Sequence, residues 1–249
     1  MLKASLIGFY DFKDDPWGTI EKLSKWGYKA YESASFLLDG DTDANIAKLE
    51  SCGMRALSIG AELWELDTKL DEVIAKAHRA KVEYVCCYWS DAQTYEEALG
   101  VARILERAGE QLRWEKLCLC YHNHDHEFRR SFHGVRYFDI LLANTSDDNL
   151  CLNLDIGWVT VGGEDVPALM KRLGSRIKLM HFKDFYDLGD RASFTTLGTG
   201  KVDIQGLLKA ADELGIEYIS VEQDTLRNLD CDSTVLCSYL TLKESGLVE

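Results

Sequence analysis

The stretch CYHNHDHEF, Cys120 to Phe128, sets histidine at every second position: His122, His124 and His126. Side chains alternate along a strand, so a fully extended segment would put three imidazoles on one face, a pattern that suits zinc. A strand that ends near His124 and turns away would instead deliver one or two of these rings to a site. The spacing alone leaves open which histidine is a ligand. Three more residues of ligand type stand at the ends of later apolar runs: Asp155 in NLCLNLD, His181 in RIKLMHF and Glu222 in YISVEQ. Imidazoles and carboxylates together, with positions left open, suit manganese, zinc, cobalt or iron(II), whereas calcium and magnesium normally take oxygen alone. The expectation is one divalent transition-metal ion.

The elements that must position these groups follow a regular alternation. Short apolar runs at 4–9, 29–33, 54–60, 82–88, 116–124, 149–155, 176–182 and 218–223 are separated by amphipathic stretches, several closed by glycine. Eight strands, each followed by a helix, in 249 residues predict a (β/α)8 TIM barrel forming a single domain over residues 1–249. A doubly wound sheet is the alternative, but no GxGxxG follows the first run. In a barrel, catalytic groups come from the C-terminal ends of the strands. Those ends carry Phe9 and Tyr10, Tyr31 and Glu32, Glu62 and Trp64, Tyr88 and Trp89, His122 and His124, Asp155 and Trp158, His181 and Lys183, and Glu222. Taken singly, Asp155 and Glu222 read as helix caps or surface charges and His181 as a core histidine; on consecutive strand ends they read as a site.

Composition narrows the partners. A net charge of −14 opposes wholesale binding to nucleic acid or to an anionic membrane surface and leaves a small polar molecule as the expected partner. No apolar run approaches transmembrane length, and the first is too short for a signal sequence. The two prolines, Pro16 and Pro167, and the lack of any Gly/Ser-rich tract mark no linker. The eight cysteines contain no CxxC, and Cys118, Cys120 and Cys151 sit inside apolar runs, so a reduced, cytoplasmic protein is expected. Homo-oligomerisation is left open.

The segments YHNHDHEF, LNLDIGWVTVGGEDVPALMKRLGSRIKLMHFKDF, LGTGKVDIQGLLKAADELG and YISVEQD resemble the sugar phosphate isomerase/epimerase group of the xylose isomerase-like TIM barrel superfamily. The resemblance runs from about Leu117 to Asp224 and more weakly over the first half. It implies a metal-dependent isomerase or epimerase that abstracts a proton next to the carbonyl of a sugar or sugar phosphate. It also implies Asp155, His181 and Glu222 as metal ligands. The fourth ligand in that group is a glutamate of an E-N-H motif, and here His122 stands in its place. In the two-base scheme of such epimerases Glu222 is one base, and the departure leaves His122, His124, Glu127 or Glu62 as the second proton carrier. A keto-sugar dehydratase or lyase would need only one base. Lys183 is expected to bind a substrate oxygen, Trp158 to stack on the sugar, Glu62 to meet the substrate and His126 to be a solvated loop residue. The amides of LGTG, Leu197 to Gly200, either cradle a phosphate or hydroxyl or simply make a turn. Two other classes compete. A DNA repair endonuclease of the same superfamily is opposed by the acidic charge and by the lack of extra ligands for a trinuclear zinc cluster. A non-catalytic sugar-binding barrel would need no metal.

Overall fold

Strands buried on both faces are built from near-continuous apolar runs, and such runs form the staves here. The computed structural model describes residues 1–9, 15–227 and 229–249, so Tyr10 lies outside the described residues. The staves are β1 (Lys3–Leu6), β2 (Ala30–Tyr31), β3 (Arg55–Ala56 and Ser58–Gly60), β4 (Tyr84–Cys87), β5 (Cys118–His122), β6 (Cys151–Asp155), β7 (Ile177–Phe182) and β8 (Tyr218–Val221). They are parallel, in the order β3, β2, β1, β8, β7, β6, β5, β4 and back to the second piece of β3. Leu57, between the two pieces, donates its N–H to Tyr31 O at 3.0 Å and accepts from Tyr84 N at 3.2 Å, which closes the ring. A sheet whose first strand pairs with its last is a barrel, and this removes the doubly wound alternative.

Inside the ring the period-two alternation stacks side chains in layers. Ala30, Leu57, Cys86, Cys120, Cys151, Leu179 and Tyr218 pack together as the apolar floor. The cysteines behave there as small apolar residues, and no disulfide links the described cysteines. Two residues further along the same strands come His122, Asn153, His181 and Ser220, all buried. Two further again, at the end of β6 or just past the ends of the other three, come His124, Asp155, Lys183 and Glu222. The polar site is thus the upper part of a stack whose base is apolar. None of the described helices is long and apolar enough to cross a membrane.

The segment after β6 shows how tightly the site is held from outside. Asp155 caps the helix Ile156–Val161 by accepting from Trp158 N at 2.8 Å. A Cβ on Gly157 would come within 2.7 Å of the Lys183 carbonyl oxygen and 2.8 Å of Lys183 Cβ. Only glycine lets this helix lie against β7, which accounts for the glycine of LDIGW. Gly157→Ala is therefore expected to destabilise the protein by about 1–3 kcal/mol through overpacking. It should also weaken binding of the metal ion expected at Asp155, because the helix that this residue caps is displaced. Urea unfolding and metal titration of the variant check both effects.

Candidate metal centre

The strand ends bring His122, Asp155, His181 and Glu222 together, with one ligand atom from each inside a set whose members all lie within 4.8 Å of one another. Ligands at about 2.0–2.1 Å from a tetrahedral ion sit roughly 3.3–3.4 Å apart, so small side-chain shifts complete the sphere. Two observations fit the set to a cation. Asp155 uses Oδ1 for its helix cap and turns its buried Oδ2 to a cation already present, the Lys183 ammonium at 3.3 Å, while the buried Nδ1 of His122 has no hydrogen-bond partner. Asp155 is thus both a cap and a candidate ligand; the two readings of it are compatible.

His181 is the most constrained member. Its Nε2 lies 3.1 Å from both oxygens of Glu32, and its Nδ1 lies 2.8 Å from Glu222 Oε2. Glu32, at the end of β2, is fully buried and also accepts from Asn153 Nδ2 at 2.8 Å, Tyr88 OH at 3.4 Å and the Ser220 hydroxyl. With Nε2–H directed at Glu32, the ring turns Nδ1 toward the ligand set, as outer carboxylates do for metal-bound histidines. Burial opposes a charge on His181, but Glu32 and Glu222 outweigh it and raise the pKa well above the usual value. His122 goes the other way: burial, aided by neighbouring His181, drives it well below 6.5. Burial raises Glu222, yet Lys183 and His181 outweigh it and hold this carboxylate well below its ordinary range. Asp155 is pushed up to about 6, chiefly by burial and against the pull of Lys183.

The other expected residues are placed as follows. Lys183 is fully buried, 3.1 Å from Glu222 Oε2, 3.3 Å from Asp155 Oδ2 and 3.1 Å from Asp224 Oδ2, so its ammonium binds acids of the chain. Its position 4.8 Å over the Trp158 ring makes Trp158 part of that support; the indole is 4% exposed and packs on Phe185 and Phe194. Glu62 is exposed and held in a capping box with Glu65 at the helix Leu63–Thr68. The LGTG amides are consumed internally: Gly198 N and Gly200 N both donate to Asp184 Oδ2, at 3.0 and 2.9 Å, which leaves the turn reading.

The three-histidine stretch does not stay extended. β5 ends at His122, and the chain bends into the short helix His126–Arg129. His124 lines a cavity of about 380 Å³ together with Tyr31, Ser33, Tyr88, His122 and Glu222. His126 is not a solvated loop residue, because its ring packs on Trp89 at 4.6 Å between centroids and its Nε2 lies 3.0 Å from Ser90 O. Glu127 is fully buried and is not among the residues lining the cavity; burial raises its pKa to about 7. Asn153, Ser220 and Ser33 were not singled out from the sequence, although the first two stand two residues before Asp155 and Glu222.

Fold and site define a TIM barrel with a mixed imidazole and carboxylate centre on its C-terminal rim. The model of the xylose isomerase-like TIM barrel family matches residues 20–230, and the chain belongs to that family. Among solved structures, a sugar phosphate isomerase/epimerase from Parabacteroides distasonis ATCC 8503 superposes with a TM-score of 0.80 at 22% identity, over 100% of this chain and 96% of that one. The IOLI protein, solved with a zinc atom, superposes with a TM-score of 0.77 at 16% identity over 98% of each chain. An inosose dehydratase of Lacticaseibacillus casei is 28% identical over 149 residues, 53% of this chain and 49% of its own. The chain thus matches about half the length of that curated relative.

The geometry of His181 has a measurable consequence. The raised pKa of His181 favours a proton on Nδ1 facing Glu222, and a ligand role would require that proton to leave, whereas burial disfavours a charge on His122. Metal uptake at neutral pH should release about one proton, and affinity should fall about tenfold per unit of pH below the raised His181 pKa. Calorimetry in buffers of different ionisation heat measures the proton; none released would exclude this role of His181.

Proposed function

We propose that the chain is a divalent-metal-dependent isomerase or epimerase of a sugar or sugar phosphate, working by proton abstraction next to a carbonyl. One observation carries the reading. Glu222 alone among the carboxylates of the ligand cluster also lines the cavity. Lys183 and His181 keep it ionised, and a desolvated carboxylate beside a substrate is a competent base. The chemistry supplied by a divalent ion at this place is polarisation of the substrate carbonyl, which acidifies the neighbouring C–H.

The chain's own residues do the rest. Tyr31 and Tyr88 give the cavity an apolar wall for the face of a sugar. His124 meets the substrate from the same cavity and presents a ring N–H to the oxygen that gains charge. Glu127, behind it, accepts the His124 backbone N–H at 2.9 Å and fixes the turn. Dehydration is the second reading, favoured by the matching dehydratase and by Glu222 being a single well-placed base. Both use the same first step, and a cytoplasmic, carbohydrate-metabolic role accords with either.

Glu222→Gln should retain substantial metal while losing activity on the order of a hundredfold or more, as for removal of a general base. A chelator should abolish turnover. Incubation with a panel of ketoses and inososes in D2O, followed by NMR, checks the reaction. Deuterium appearing next to the carbonyl with carbon number and oxygen retained marks an epimerase or isomerase, and loss of a hydroxyl marks a dehydratase. Undiminished exchange in Glu222→Gln would refute the base assignment.

A further inference from the structure

The bend that carries the chain out of β5 builds a second cluster of donors beside the first. His124, His126 and Glu127 each offer a ligand atom, and these atoms lie within 4.8 Å of one another. The main chain sets the tautomer of His126. Its Nε2 lies 3.0 Å from the carbonyl oxygen of Ser90, which only accepts, so the proton sits on Nε2 and Nδ1 is a bare lone pair. That Nδ1 is buried without a hydrogen-bond donor, and 3.2 Å away it faces Glu127 Oε2, itself an acceptor.

Glu127 is held from the other side. Its Oε1 accepts from Tyr121 OH at 2.8 Å and its Oε2 from the His124 backbone N–H at 2.9 Å, which fixes the carboxylate without filling the gap toward the rings. His124 Nδ1 is likewise buried with no partner. The Trp89 ring covers both imidazoles, with centroids 4.9 Å from His124 and 4.6 Å from His126. Acceptor atoms brought together under an aromatic cover, with no donor among them, are costly unless a cation joins them. A shared proton satisfies one pair of such atoms. A divalent ion satisfies all three.

We propose that His124, His126 and Glu127 hold a second transition-metal ion, distinct from the ion at Asp155, His181 and Glu222. Two imidazoles and one carboxylate with an open fourth position are a zinc donor set. The ring of His124 lies 4.9 Å from that of His122, so the two centres are neighbours that share no ligand. Coordination through the buried Nδ1 of His124 leaves the proton on its other nitrogen, which matches the donor role given to this ring above. The metal content does not depend on that role or on the reaction.

Zinc titration of chelator-stripped protein against a chromophoric competitor tests the proposal. Wild type should bind about two equivalents, and His126→Ala and Glu127→Gln about one each, with the remaining equivalent unchanged in affinity. Asp155→Asn should also keep about one, and Asp155→Asn combined with His126→Ala none. Glu127→Gln is nearly isosteric, so loss of the second equivalent there does not come from a failed fold, which circular dichroism checks. In cobalt-loaded Asp155→Asn, the visible absorption of a four-coordinate site should disappear on adding His126→Ala. A wild type that binds a single equivalent, or a His126→Ala protein that still binds two, overturns the proposal.

Discussion

The arrangement on which the rest of the site depends is the line Glu32–His181–Glu222, an imidazole gripped at both nitrogens by carboxylates inside a barrel. Burying Glu32 completely would be prohibitive without compensation, since a desolvated charge needs partners at every face. The ring supplies them from four other staves or their ends: Ser220 from β8, Asn153 from β6, His181 from β7 and Tyr88 after β4. Each donor is tied to a strand whose register is fixed, with Ser220 opposite His181 and His181 opposite Asp155. The carboxylate therefore reports the geometry of the closed barrel to the histidine. Closure at Leu57 is in this sense a condition of the site, because β2, which delivers Glu32, is only two residues long and depends on its neighbours.

The same logic explains why the lower barrel is lined with cysteine, alanine and leucine. Buried polar side chains are costly unless they are hydrogen-bonded, ion-paired or joined by a cation, so they are confined to the layers that open toward the cavity. The layer beneath has to be filled with small apolar volume. Cys86 touches both regimes: it belongs to the apolar floor, and its sulfur lies 3.9 Å from Asn153 Nδ2.

How much of this was legible in the sequence follows from the range of the forces involved. The strand ends, and with them Asp155, His181, Glu222 and His122, could be found because apolar runs and period-two alternation are local signals. Glu32 could be placed at a strand end, but its role could not, since its partners lie up to 188 positions away. Lys183, Trp158 and Glu62 have types that suit a sugar site. Lys183 is engaged by three acids, Trp158 packs beneath it, and Glu62 serves a capping box, and these competing demands are tertiary or concern local caps. The LGTG loop offered amides that looked free, until Asp184 from the preceding strand end claimed them. His126 looked like a loop residue because nothing in HNHDHEF announces Trp89 and Ser90, one stave away.

The histidine at position 122, where the resemblance leads one to expect a glutamate, can be weighed by charge. Around the cluster stand four carboxylates, Glu32, Asp155, Glu222 and Asp224, and two cations, Lys183 and protonated His181. Acidic side chains thus outnumber basic ones around the cluster. A glutamate at 122 would add a further negative charge in a desolvated place, where like charges are felt most strongly. His122, whose charge burial disfavours, would contribute a donor without that charge. Proton abstraction next to a carbonyl builds negative charge on a substrate oxygen, and a centre closer to neutrality opposes that charge less. In the proposed reaction the histidine would favour the electrostatics of that step, and its lone pair would be available to a metal at no cost in deprotonation.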